Sequence, residues 1–287
     1  MPVFAPMRQG GFAGMGIDED AIRFGVFLFV FSIMALLEMM APRRGGLRFR
    51  QRRWITNLAL VVIDSLAVRV LIPITAVWAA DFADKQGFGL FNQVPVPSFI
   101  AAVAAFVLLD FSIWLQHVVF HKVPVLWRLH AVHHADIGFD VTTGIRFHPV
   151  EILISTLWKI GVVLVLGAPA GVVFVFEVAL NGFALFNHAN VRIPRLLDAG
   201  LRLLVVTPDM HRVHHSVIPR ETNSNFGFNL SFWDRLFGTY RAQPEAGHAR
   251  MIIGLDDFQS DEPVRLGWSL LLPFRDLFSK RRNAPPK

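Results

Sequence analysis

The segment LLDFSIWLQHVVFHKVPVLWRLHAVHH, residues 108–134, passes from an apolar stretch straight into five histidines. A near copy of its end, HRVHH, stands at 211–215. In HVVFH, His117 and His121 are four residues apart, so on a helix they share one face and can point at one ion. In HAVHH, His130 precedes His133 and His134 by three and four residues, which places both near its own face. His211, His214 and His215 repeat that spacing, and with His188 the chain offers nine of its 11 histidines in four groups. A catalytic zinc site takes about three protein ligands and keeps one open position, so nine imidazoles are too many for a single ion. Two ions, each with four or five nitrogens and an open position, would use them all. Imidazole suits zinc, copper, iron and nickel alike, and ligand type alone does not choose among them.

The composition around these histidines is that of a chain in lipid. Of 287 residues, 53% are hydrophobic and 17% charged, and the mean hydropathy is +0.46. A soluble domain carries about a quarter charged residues. There is no cysteine, which excludes disulfides, thiolate ligands and a nucleophilic thiol. Apolar stretches long enough to span a bilayer, which takes about 20 helical residues, lie at 21–41, 54–80 and 98–116. A fourth, 150–187, is interrupted by GAPAG at 167–171 and reads as a helical hairpin, either crossing the bilayer or dipping into it. The first 20 residues show no apolar core of a cleavable signal.

Lysine and arginine set the orientation. If residue 42 onward is cytoplasmic, the inner segments 42–53, 117–149 and 188–287 carry 23 of the 28, whereas 1–20 and 81–97 carry only Arg8 and Lys85. The excess over 22 acidic residues is therefore topological and implies no nucleic acid. RRGGLRFRQRRW at 43–54 is expected to touch anionic headgroups, RIPRLLDAGLRLLVV at 192–206 to form an amphipathic interfacial helix, and KRRNAPPK at 280–287 to be disordered. This topology delivers every clustered histidine to one face of the membrane, on the cytoplasmic side, in a bacterial inner membrane.

The expected fold is an all-α integral membrane protein of four to five transmembrane helices, the last two a hairpin, with a cytoplasmic helical cap carrying a dinuclear metal site. Its parts are an extracytoplasmic segment 1–20, transmembrane helices over 21–104, a catalytic region 105–241 containing the hairpin 150–187, and a cytoplasmic tail 242–287. His248 and His148 read as structural residues, with His148 in RFHPVE also a candidate tenth ligand or supporting donor. Carboxylates near the triplets, Asp136, Asp140, Glu151, Asp209 and Glu221, are candidates to accept imidazole N–H groups, Asp209 foremost because it lies two residues before a triplet. Asp110, about two helical turns before His117, is a candidate support from beneath. Asp64, Arg69, Lys159 and Glu177 fall within apolar spans, where they must pair, line a cavity or, for Lys159, reach the interface.

With these segments, TTGIRFHPVE at 142–151, TPDMHRVHH at 207–215 and ETNSNFGFNLSFWDRLFGTY at 221–240, the chain resembles the fatty acid hydroxylase and sterol desaturase superfamily of integral-membrane di-iron oxygenases over residues 105–241. It is most similar to the bacterial sterol-desaturase-like branch near alkylglycerol monooxygenase. The resemblance implies two iron ions, replaceable by zinc in purified protein, held by His117, His121, His130, His133, His134, His188, His211, His214 and His215. It implies O₂-dependent oxidation of an unactivated C–H bond of a lipid. Many members carry a second histidine near His188, where this chain reads FNHANVR, so water or His148 would complete that site.

Such chemistry needs dry apolar walls and an outside source of electrons. No flavin, haem or nucleotide fingerprint is visible, so a ferredoxin- or cytochrome-type donor with its reductase is expected. Phe106, Phe111, Trp114, Phe183 and Phe186 are candidates to line the lipid's approach, ordinary packing being the alternative for each. Hydroxylation and desaturation share the first hydrogen removal and stay undivided, as do the lipid and the oligomeric state. A metal transporter would place its ligands at the bilayer midplane on broken helices, and a membrane zinc hydrolase would need an HExxH base that is absent here.

Overall fold

The computed structural model describes residues 18–275. The described chain is helical, with three isolated bridges and no strands. KRRNAPPK and most of the segment 1–20 lie outside the described residues.

Helix α1 (Glu19–Met40) starts at Asp18, whose side chain accepts the Ala21 N–H at 3.1 Å, and Glu19 and Asp20 complement the positive end of the helix. α2 (Arg50–Leu71) stops ahead of Pro73, which has no N–H and disfavours helix in the residue before it. The expected single span 54–80 is thereby divided. α3 (Ala76–Lys85) folds back as a separate helix whose small residues Ala76, Ala79, Ala80 and Ala83 are buried against α7 and α8, and α4 (Leu90–Gln93) is a single turn. α5 (Ser98–Lys122) runs without a break through both histidines of HVVFH. α6 (Pro124–His134) follows with proline at its first position, where the missing N–H costs nothing.

α7 (Pro149–Leu166) and α8 (Ala170–Asn187) form the hairpin. Each is about 27 Å long at 1.5 Å per residue, close to the thickness of the hydrocarbon. Gly167, at φ 62°, ends α7, and an added Cβ there would lie 2.8 Å from Phe88 O, so glycine is required on both counts. Of the expected amphipathic helix 192–206 only α9 (Arg195–Leu201) forms; the chain then turns, and Val206 N donates to Asn229 O, because 205–206 is recruited to pair with the 229–230 loop. α10 (Pro208–His214) starts at Thr207, which accepts the Met210 N–H.

Five stretches are long and apolar enough to cross a membrane, and only 6% to 39% of the most apolar 18 residues of each is buried within the protein. The rest faces outward with large apolar side chains such as Phe24, Phe29, Val70 and Phe99. The chain is thus an integral membrane protein.

Of the four charges expected within the spans, Lys159 and Glu177 are paired. Glu177 takes Arg23 at 2.8 Å and also Lys159, so Lys159 does not reach for the interface. Asp64 is buried with one carboxyl oxygen lacking a hydrogen-bond partner, and Arg69 is exposed near the end of α2.

The end of the bundle opposite this ion cluster is polar and tightly tied. Glu38 at the end of α1 accepts the N–H groups of Val141 and Asn190, both at 2.7 Å. Arg53 in the first turn of α2 is fully buried, donates to Asp136 and to Asp140 (2.7 Å), and lies against Gly138, where a Cβ would come 2.3 Å from its guanidinium. Asn57 bridges Asp136 and Thr142, and Arg146 reaches Asn57, Val132 O, Pro263 O and Ser269. The 247–275 segment closes over this network, with Trp268 and Leu272 packed on Leu60 and Val132.

Removing a buried cation that holds two carboxylates leaves uncompensated charge, so Arg53→Met is expected to destabilise the protein by about 3–5 kcal/mol. Unfolding of the detergent-solubilised variant measures this; wild-type stability would contradict the role given to Arg53.

Candidate metal centre

The helices place the nine clustered histidines at the polar end of the bundle as two groups, and the grouping follows from helix geometry. Within each group one ring nitrogen per residue lies within 4.8 Å of the others: His117, His121, His130, His134 and His214 form the first, and His133, His188, His211 and His215 the second. Each HxxHH triplet gives its first and last members, one turn apart, to one group and its middle member to the other. Thus His130 and His134 join His214, while His211 and His215 join His133. HVVFH at the end of α5 adds two to the first group, and His188, just past α8, adds one to the second.

The ring tautomers decide what such a grouping means. His117 Nδ1 donates to Phe226 O at 2.7 Å, His214 Nδ1 to Ser224 O at 2.7 Å, His133 Nδ1 to Arg146 O at 3.0 Å and His188 Nδ1 to Ala184 O at 2.7 Å. A carbonyl can only accept, so each Nδ1 carries the proton and each neutral ring presents a bare Nε2 lone pair. His130 Nδ1 lies 2.6 Å from Glu151 Oε1, and an ionised Glu151 accepts its proton in the same way.

Yet Nε2 of His117 lies 3.0 Å from Nε2 of His130, and Nε2 of His188 lies 3.2 Å from that of His133. His211 and His215 bring Nε2 to 3.1 and 3.2 Å from His188. Where both rings carry the proton on Nδ1, as His133 and His188 do, the Nε2 lone pairs face each other and repel unless a cation lies between them. Nitrogens about 2.1 Å from one ion stand about 3.0–3.4 Å apart, which is the spacing seen. Nε2 of His121, His134 and His214 is buried without a hydrogen-bond partner. The residues therefore fit two metal ions, one facing five imidazoles and one facing four.

Burial keeps the rings beyond the spans neutral. It pushes His130 down to about 3 and His188 down to about 4, and it holds His133, His134, His211, His214 and His215 well below the ordinary imidazole range, helped by neighbouring rings. Neutral imidazole is the form that binds a metal.

Glu151 is the carboxylate that touches a clustered histidine. The other candidates are engaged elsewhere. Asp136 and Asp140 hold Arg53, and Glu221 accepts the Glu245 N–H at 2.7 Å. Asp209 accepts from Arg43 at 3.0 Å and from Arg212, so it locks α10 to the 43–44 segment instead of orienting a ring. Burial alone would raise its carboxyl, but Arg212, His248 and Arg43 draw it below the usual range.

His148 belongs to neither group: its Nδ1 caps α7 by accepting the Val150 N–H and its Nε2 donates to Leu270 O, both at 3.2 Å. Asp110 touches no histidine either; it accepts from Trp233 Nε1 at 2.8 Å and Leu230 N at 3.3 Å. His248 is buried, 3.6 Å from Asp209.

Asp110 and Asp234 act together on the 224–230 loop, whose carbonyls orient His117 and His214. Asp234 accepts the N–H groups of Phe226 (2.8 Å) and Gly227 (2.9 Å) and Trp114 Nε1 at 3.1 Å. The spacing of histidines gives no sign of Asp234; its only trace is its place in ETNSNFGFNLSFWDRLFGTY. Gly144 is similarly silent, yet a Cβ there would lie 2.5 Å from Ala184 O, the acceptor of His188.

A cavity of about 250 Å³ opens beside the first group, lined by Ile113, Gln116, His117 and Phe120 of α5, by Glu151 to Lys159 along one face of α7, and by Leu180, Asn181 and Ala184 of α8. The five aromatics expected along a lipid path are not among its lining residues. Phe106 packs on Phe176, Phe111 and Trp114 stack with Phe237, and Phe183 meets Phe186, so they pack with other rings, while Phe120, Phe147 and Phe228 face the cavity.

A family model described as fatty acid hydroxylase matches residues 102–239. Ornithine lipid hydroxylase OlsE of Rhizobium tropici is 31% identical over 231 residues, covering 76% of this chain and 67% of that protein. Alkylglycerol monooxygenase of Homo sapiens is 28% identical over 195 residues, 68% of this chain but 40% of that enzyme. Cholesterol 25-hydroxylase of Mus musculus is 30% identical over 142 residues, covering 48% and 45%. The chain therefore spans less than half the length of the latter two, and no solved structure matches it significantly. On the strength of the similarity to OlsE, together with the family match across the histidine groups, the chain belongs to the fatty acid hydroxylase family.

Proposed function

We propose that the protein is a membrane lipid oxygenase with two iron ions, one bound by His117, His121, His130, His134 and His214 and the other by His133, His188, His211 and His215. The observation that carries the reading is the convergence of ring Nε2 atoms, 3.0–3.2 Å apart, at the end of a cavity between membrane-spanning helices. When bound, the iron pair supplies O₂ activation and removal of hydrogen from a C–H bond. The names of three relatives, two hydroxylases and a monooxygenase, favour hydroxylation over desaturation.

The chain's own part is to hold, orient and keep dry. Ile113, Phe120, Phe147, Leu180 and Phe228 form apolar walls that take a hydrocarbon segment from the bilayer and exclude water from the site. Glu151 fixes the tautomer and angle of His130, and the carbonyls of Ala184, Arg146, Phe226 and Ser224 do the same for four others. A ferredoxin- or cytochrome-type donor with its reductase delivers electrons from the cytosol, the side assigned by the lysine and arginine bias. A transporter is not favoured, since the histidines sit at helix ends and in α6 and α10 beyond the spans rather than on broken helices at mid-bilayer.

Two measurements test this. Lipid extracts of cells with and without the chain, compared by mass spectrometry, are expected to differ by a species heavier by one oxygen; identical extracts under iron-replete, aerated growth would count against the oxygenase. Iron analysis of the purified protein is expected to give two ions per chain, falling to about one in His211→Ala, which removes one of four ligands from the second group only. Unchanged iron in that variant would remove His211 from the ligand set.

A further inference from the structure

The cavity between α5, α7 and α8 contains two polar atoms that the chain leaves unmet. Gln116 Nε2 and Glu151 Oε2 are both buried without a hydrogen-bond partner, and both residues line the cavity beside His117 and His130. Their placement is built in. Ile113, Gln116, His117 and Phe120 fall at successive positions of one helical face of α5, and that face forms the cavity wall. Glu151 is held by the bond from His130 Nδ1 to its other oxygen, at 2.6 Å, so Oε2 is not free to swing away.

An amide donor and a carboxylate oxygen left bare in an apolar space are each costly. A plain hydrocarbon in this cavity would relieve neither. A group that accepts one hydrogen bond and donates another would relieve both at once. A fully deprotonated anion accepts from Gln116 Nε2 but has no proton to give Glu151 Oε2, and a quaternary ammonium has no N–H to give it.

We propose that Gln116 and Glu151 form a binding subsite for a neutral donor–acceptor group of the lipid, a hydroxyl or a secondary amide, which accepts from Gln116 Nε2 and donates to Glu151 Oε2. The inference rests on the lipid-oxygenase reading and narrows its substrate class. The carbon presented to the first histidine group is then one close to that polar group, not an arbitrary methylene of a long chain. Gln116 stands beside the histidines and touches neither group of ring nitrogens, so its role is to select and position the lipid.

The test uses the iron-loaded full chain in lipid nanodiscs with three probes of one chain length: dodecane, 1-dodecanol and N-dodecylacetamide. Equilibrium binding is corrected for partition into protein-free nanodiscs. The alcohol, the amide or both are expected to bind about tenfold more tightly than dodecane, the factor that about 1.4 kcal/mol of net hydrogen bonding gives. Which of them does so assigns hydroxyl-bearing or amide-bearing lipids. In Gln116→Leu and Gln116→Met the preference is expected to vanish, with dodecane binding and iron content kept.

Equal binding of all three probes by the wild-type chain overturns the subsite, a result that needs no variant to fold. So does a preference that persists undiminished in an iron-retaining variant. If the preference is present but no probe gains oxygen with O₂ and a reductant supplied, the subsite stands and the oxygenase reading falls.

Discussion

Unprotonated imidazole nitrogens that face one another in a dry interior repel, and the architecture at the polar end of the bundle is arranged around that constraint. Backbone carbonyls take the Nδ1 protons of four rings, which forces their Nε2 lone pairs inward, and Glu151 holds a fifth ring, His130, by its Nδ1. A protein gains nothing from such an arrangement in the absence of cations: the rings pay for burial and then oppose each other. With two cations between them the same carbonyls become orienting groups and the repulsion becomes coordination. The acceptors therefore matter as much as the ligands, and they come from four separate segments, including the 224–230 loop held by Asp110 and Asp234.

The membrane supplies the other half of the design. Helix ends that are adjacent in space at the polar pole belong to α1, α2, α5, α7 and α8, bound by Glu38, Arg53 and Arg146 through loops that could not fold in hydrocarbon. The apolar halves of α5, α7 and α8 then extend from the histidines into the bilayer with a cavity between them. One end of the site thus lies among the polar ties of the bundle, and the other opens between apolar helices. The two histidine groups are unlike: the first has five rings, one backed by the Glu151 carboxyl, and lines the cavity; the second has four, of which His133 and His188 donate to backbone carbonyls.

Much of this was legible in the sequence because it is periodic. The apolar runs gave the spans, and the one-turn spacing in HVVFH, HAVHH and HRVHH gave rings able to share an ion. Local spacing could not show how the triplets divide, since adjacent members such as His133 and His134 point to different groups. Proximity in sequence also misled. Asp209, two residues from His211, turns to Arg43 and Arg212, whereas Glu151, 21 residues from His130, is its partner. The break at Pro73 was hidden by continuous hydrophobicity, and the short α9 by a tertiary pairing of Val206 with Asn229 that no helical pattern encodes. Nothing in the pattern around Gln116 marks it, because the cavity it lines is closed by three helices distant in sequence.

The account stands or falls on two metal ions in unlike, imidazole-rich surroundings. Mössbauer spectroscopy of the iron-loaded chain reads this directly, because each iron reports its own ligand field. Two signals of equal area with different splittings are predicted, both altered from any signal of iron adsorbed to apo-protein lacking the triplets. A single signal, from one iron or from two identical ones, would contradict the division of nine histidines into five and four.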